Sequence, residues 1–162
     1  MAQNSIPSGA PSTQALLEAY LAAVYRVELD DGTTLPLHVG QPAPAALERA
    51  MPATAWTLVT AWNPQSVPRS GAANDAADAM LRAELDALGL AKLRAGGGSD
   101  DGDWEERGWL VAGLDAAAAD ALARRYGQAG ILHWAQGQPV RLRMYRPRPG
   151  GDATPHVDWP LL

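Results

Sequence analysis

The segment Ala55-Trp56-Thr57-Leu58-Val59-Thr60-Ala61-Trp62-Asn63-Pro64 is an apolar run, rich in β-formers, that ends at a turn-forming dipeptide. A run of this length bounded by such a turn reads as a buried strand. The succession of elements after Pro64 decides the fold. A loop reaches Gly71 and leads into a helix in which Ala77, Leu81, Leu85 and Leu88 make one apolar stripe, with Gly89 as its stop. Residues 90–94 read as a short strand, 96–103 as a flexible glycine–aspartate loop, and 108–113 as another strand. Asp115 caps an alanine-rich helix that ends at Tyr126-Gly127, and residues 131–134 form the next strand. From 55 to 134 the order is therefore β-α-β-β-α-β, which predicts an α+β, ferredoxin-like core in a single domain.

Outward from this core the pattern stays regular. Ser12 or Thr13 caps a helix in which Leu17, Tyr20, Leu21 and Val24 recur at helical spacing. Tyr25, Val27 and Leu29 then alternate with Arg26 and Glu28, and Asp31-Gly32 supplies a turn into Leu35, Leu37 and Val39. That is a hairpin, with Pro36 pushing its second strand to a sheet edge. Pro44 opens a short helix that Pro52 closes, and a turn at 136–139 leads to a strand at 140–145. The core thus carries an N-terminal helix and hairpin and an added C-terminal strand. Residues 1–12 read as a flexible arm, 13–148 as one domain, and 149–162 as a tail that frays or docks.

The 162 residues suffice for one domain with its own core. With 47% apolar and 19% charged residues, the composition is globular and not disordered. Cysteine is absent, which excludes disulfides, thiol nucleophiles, Cys-ligated zinc and iron–sulfur clusters. A formal net charge of −5 argues against DNA and anionic membranes as partners. The charges are partly segregated: Asp100, Asp101, Asp103, Glu105 and Glu106 form an acidic run, and six arginines fall within 124–148. The first twelve residues lack a signal-peptide pattern and no apolar run is long enough to cross a bilayer, so a cytoplasmic location is expected. His38, His133 and His156 are too scattered to suggest a metal site. The signatures G-x-x-x-x-G-K, G-x-S-x-G and G-x-G-x-x-G are missing, so no cofactor is expected.

Four polar residues sit at strand and helix junctions. Asn63 closes the first core strand, Asn74 lies near the start of the next helix, Glu106 precedes the strand at 108–113, and Gln128 follows the helix stop at Gly127. In the ferredoxin-like order all four converge on one end of the sheet, and the first and third core strands are neighbours. Asn63 and Glu106 are therefore expected to be close. A carboxylate flanked by side-chain amides beside a helix N-terminus can hold a polar ligand, and Arg69 and Ser70 can add an anion contact. Glu106 is the candidate general base, provided that Trp62, Trp104 and Trp109 raise its pKa, with 95–103 as a candidate lid.

Thr60-Ala61-Trp62-Asn63-Pro64, then Asn74, Trp104-Glu105-Glu106, Trp109-Leu110-Val111, Tyr126-Gly127-Gln128 and Ile131-Leu132 form an ordered set. From about 56 to 144 it resembles the bacterial domain-of-unknown-function 3293 family. The resemblance assigns Asn63, Asn74, Glu106 (or Glu105, one residue earlier) and Gln128 to motif positions, and implies no activity, cofactor or partner. Three readings stand at this point. One is a polar pocket that binds or acts on a small polar metabolite or nucleotide. In the second, Asn63 and Asn74 are turn and cap residues, Gln128 satisfies backbone groups and Glu106 pairs with Arg107, Arg124 or Arg125. The third is an interaction module for protein or single-stranded RNA, built on Arg141 and Arg143, which alternate with Val140, Leu142 and Met144 and precede Tyr145.

Overall fold

The apolar run at 55–62 becomes the middle of an eight-stranded sheet in a computed structural model that describes residues 11–101 and 105–160. In chain order the elements are α1 (Thr13–Ala22), β1 (Val24–Glu28), β2 (Thr34–Leu37), α2 (Ala45–Ala50), β3 (Ala55–Thr60), α3 (Gly71–Ala87), β4 (Lys92–Gly98), β5 (Glu105–Ala112), α4 (Ala116–Arg125), β6 (Gly130–Ala135), β7 (Arg141–Met144) and β8 (Val157–Asp158). The sheet order is β2-β1-β4-β5-β3-β6-β7-β8. From β3 to β6 the chain order is β-α-β-β-α-β, and β5 lies antiparallel between β3 and β4. Each long helix therefore connects two strands that straddle a third, and the molecule is α+β.

Side-chain alternation along the strands sorts the core into two layers. Val59, Trp109, Val111 and Ile131 face α3 and α4, where Leu81, Leu85, Ala119 and Leu122 cover them. Trp56, Leu58, Leu110, Leu132 and Leu142 face the other way, under Leu16 and Leu17 of α1 and Leu47 of α2. Ser12 caps α1 by accepting from Ala15 N at 3.1 Å, and Asp115 caps α4 by accepting from Ala118 N at 2.8 Å. No helix among the described residues is long and apolar enough to cross a membrane.

One expectation fails in an instructive way. Residues 96–98 are not loop but the end of β4, paired with 24–26 of β1 on one side and 105–107 of β5 on the other. β5 accordingly begins at Glu105, three residues before the expected start. Glycine is a poor strand former in isolation, but here two neighbouring strands crowd the backbone. A Cβ on Gly96 would stand 2.6 Å from the Glu106 carbonyl oxygen, and one on Gly97 would stand 2.9 Å from the Tyr25 ring. The candidate lid loses residues 95–98 to the sheet. Its residues 102–103 and the neighbouring Trp104 lie outside the described residues, as do residues 1–10 of the arm and the last two residues of the tail. Of the two outcomes open to the tail, residues 157–158 dock: β8 runs parallel to β7, with Leu142 opposite Val157 and Arg143 opposite Asp158. β2, which carries Pro36, forms the opposite edge.

Candidate functional site

Asn63 is the junction of the site. It follows β3 in a left-handed backbone conformation (φ 43°, ψ 66°), and Gln65 and Ser66 are also left-handed, at φ 57° and 58°. Three non-glycine residues in this region within four positions make a strained turn. The turn is held from outside. Gly127 O accepts from both Gln65 N (2.9 Å) and Gln65 Nε2 (2.8 Å), while Gln128 Nε2 donates to the Trp62 carbonyl at 3.0 Å.

The Asn63 side chain then links the two faces of the sheet. Its Oδ1 accepts from Asn74 Nδ2 at 2.9 Å and from Arg69 N at 3.2 Å, and its backbone N–H donates to Asn74 Oδ1 at 2.9 Å. With Oδ1 taken by two donors, the orientation of the amide is determined, and Nδ2 points at Glu106 Oε1, 3.1 Å away. Asn74 comes from the first turn of α3, whereas Glu106 comes from β5 and faces α1. The expected meeting of Asn63 and Glu106 is thus present, and Asn74 joins them. Arg69 turns inward, donating from Nε to Asn74 Oδ1 and from Nη2 to the Ala61 carbonyl. Ser70 caps α3 through Ala73 N at 3.2 Å. Gln128 braces Trp62 from behind and makes no hydrogen bond to Glu106.

Glu106 opens on a cavity of about 260 Å³ between α1 and the sheet. Its walls are mostly apolar: Leu16, Ala19 and Tyr20 of α1 on one side, Leu58 and Leu132 on the other, with Tyr25, Thr60 and Ser66 also lining it. The room comes from two glycines. Gly97, the register partner of Glu106, has no side chain to fill the space and lies under the Tyr25 ring, and Gly130 lies under the Tyr20 ring. Glu106 is 6% exposed and no ion pair among the described residues reaches it. Burial pushes its pKa from 4.5 up to about 7, against the opposing hydrogen bond from Asn63. The Tyr20 hydroxyl is likewise raised, first by burial and then by the Glu106 carboxylate.

At Trp109 the source of that burial differs from the expectation, and Trp104 lies outside the described residues. Trp109 lies three residues along β5, on the opposite face, where the Arg94 guanidinium stacks on it at 3.8 Å. The tyrosines and leucines of the α1 side take its place. Arg125 pairs with Glu84 and Arg124 lies over Tyr145, so neither is a partner for Glu106. Tyr20 and Tyr25 were not singled out by sequence reasoning, because a tyrosine in an apolar stripe reads as core. The available signal was that a buried hydroxyl needs a partner, and the Tyr25 hydroxyl finds one in the Tyr20 carbonyl at 2.5 Å.

Arg141 and Arg143 are both engaged by carboxylates. Asp158 of the docked tail takes Arg141 at 2.8 and 2.9 Å, and Asp120 of α4 takes Arg143 through two bonds of 2.8 Å. Among the described residues no group of three or more acidic or histidine side chains is arranged to hold a metal ion.

A family described as "Protein of unknown function (DUF3293)" has a model that matches residues 59–131. The chain resembles the DUF3293 family. Asn63, Asn74, Glu106 and Gln128 all fall inside the matched span, while α1, β1, β7 and β8 fall outside it. The hydrogen-bonded side of the cavity therefore lies within the span of likeness, and its α1 side, with Tyr20, lies beyond it. No curated protein and no solved structure matches the chain.

Proposed function

We propose that this protein binds a small, mostly apolar molecule in the cavity beneath α1, with Glu106 exchanging a proton or hydrogen bond with the single polar group of that molecule. The observation that carries the reading is a carboxylate aimed into an apolar cavity, oriented from behind by Asn63 and without a cationic partner among the described residues. A purely structural glutamate in such a place is normally paired or replaced by an apolar residue, because burying an unpaired carboxylate costs several kcal/mol. A pKa near neutrality suits a group that gives or takes a proton at working pH. The strained turn at 63–66 favours the same reading, since strain of this kind concentrates where side chains are held for a purpose.

The ligand class follows from the walls. By proportion to a cavity that takes a benzene ring, about 260 Å³ has room for roughly ten non-hydrogen atoms. A nucleotide is larger and far more polar than these walls favour. A small aromatic or branched aliphatic compound with one amine, hydroxyl or carbonyl group fits better. Protein or RNA recognition through Arg141 and Arg143 would first have to displace Asp158 and Asp120.

The test is a thermal-shift and NMR screen of such compounds against wild type, Ala19→Trp and Glu106→Gln. Ala19 lines the cavity and is exposed, so a tryptophan there should obstruct the opening while Glu106 itself stays unchanged. Ligands that stabilise wild type should lose their effect in Ala19→Trp, and those with a hydrogen-bonding group should weaken in Glu106→Gln. Compounds that bind all three proteins equally would remove this reading.

A further inference from the structure

The glycine run at the end of β4 strips side chains from both faces of the sheet, and the second face has its own groove. Opposite residues on neighbouring strands point to the same side. Arg26 of β1 is the register partner of Gly96, and Gly96 is in turn the partner of Arg107 on β5. Two arginines therefore flank a bare glycine on the face away from α1. At the usual strand spacing their Cα atoms stand about 10 Å apart, a separation from which two long side chains can converge on one group. Both line a polar groove of about 510 Å³, floored by Gly96 and Gly98.

The charges in this groove are not equivalent. Arg94 is spent: it makes two bonds of 2.9 Å to Asp78 and stacks on Trp109. The guanidinium groups of Arg26 and Arg107 make no hydrogen bond or ion pair among the described residues, although most arginines of this chain are engaged. Glu28 and Glu105 line the same groove, each two residues from one of the arginines on its own strand. Two guanidinium groups facing a common gap repel each other until an anion lies between them, and their planar donor forks match an oxyanion.

We propose that Arg26 and Arg107 form a binding site for one compact oxyanion, a phosphate monoester or carboxylate, seated over Gly96. The glutamates select the rest of the ligand. They repel a polyanion such as nucleic acid and accept hydrogen bonds from hydroxyl or ammonium groups, so the ligand carries one oxyanion and neighbouring donors. This site is independent of the cavity at Glu106, which opens on the opposite face.

The test is titration of the ¹⁵N-labelled protein with inorganic phosphate, and separately with acetate, at constant ionic strength set with chloride. The Arg26 and Arg107 Nε–H signals and the Gly96 amide should shift and saturate with at least one of the two anions. Affinity should fall about tenfold or more in Arg26→Gln and in Arg107→Gln. Arg49→Gln, which removes an arginine of α2 outside the groove, should leave it unchanged. Both groove arginines are exposed, so the variants should fold, and their unfolding midpoints verify it. Shifts that never saturate with either anion, or an equal loss in all three variants, would overturn the proposal by reducing the effect to charge screening.

Discussion

At the scale of single residues, Glu106 and Asn63 carry opposite costs. Asn63 sits in a backbone region that its side-chain bonds justify. Glu106 sits where burial favours its neutral form. The unfolded chain releases the Glu106 proton near pH 4.5 and the folded chain near pH 7. Between those values the folded state binds more protons, so stability falls as pH rises through the window and is lowest above it. The full loss is about 3 kcal/mol, from the 4.5 and 7 limits and the usual 1.36 kcal/mol for each pKa unit. Glu106→Gln keeps an acceptor for Asn63 and does not titrate. Its unfolding midpoint should match wild type near pH 4 and exceed it by several degrees at pH 8. A variant that trails wild type equally at both pH values would mean that the carboxylate is held by something other than burial and the Asn63 bond.

At the scale of elements, the glycines of β4 and β5 decide how closely three strands approach. Gly108 is tighter than Gly96 or Gly97: a Cβ there would stand 2.3 Å from the Val59 carbonyl oxygen, which is backbone and cannot move aside. Gly108→Ala should cost about 3 kcal/mol by forcing β5 off β3, measured by denaturant unfolding. Gly113→Ala probes a different cost, since its φ is 96° and the nearest atom to an added Cβ is 3.9 Å away. Its penalty should come from the backbone alone and be the smaller of the two. Much at this scale was legible beforehand. The hairpin, the capped helices and the buried strand follow from alternation, capping residues and turn dipeptides, which are local signals. The pairing of 96–98 was not, because glycine carries no pattern. Only the strands on either side, and the Tyr25 ring above Gly97, turn a flexible-looking run into sheet.

At the scale of the whole molecule, the two faces of the sheet respond to pH in opposite ways. On the α4 face, burial raises the Asp120 pKa, but the Arg143 bonds, the Tyr145 hydroxyl and the Arg143 charge outweigh it and leave the pKa below 3.8. That contribution is present above the unfolded value and is lost as pH falls through the lowered one. His133 has a pKa below 6.5, lowered by burial and by the Arg143 charge, so it too favours higher pH, its share eroding as pH falls below 6.5. Glu106, on the α1 face, pulls the other way. Asp120→Asn should cost about 2 kcal/mol at pH 7, because it breaks a partly buried pair and leaves Arg143 short of a partner. The deficit should narrow as pH falls below 3.8, where Asp120 of the unfolded chain takes up a proton before that of the folded protein does, as read from unfolding curves of both proteins across the acid range. A deficit constant with pH would show that packing around Tyr145 matters more than the charge.

The same division separates what was written in the chain from what folding added. Residue order alone determined the β-α-β-β-α-β succession, the edge position of Pro36 and the approach of Asn63 to Glu106, because periodicity and turn chemistry are local and a short list of topologies connects them. Which face Glu106 presents, and the existence of a cavity there, depended on α1 crossing strands far from it in sequence. The capture of Arg141 and Arg143 likewise needed other elements, the docked β8 for Asp158 and α4 for Asp120. Burial is non-directional and acts between whole surfaces. Its consequences for one carboxylate or one guanidinium appear only when the surfaces that enclose it have been brought together.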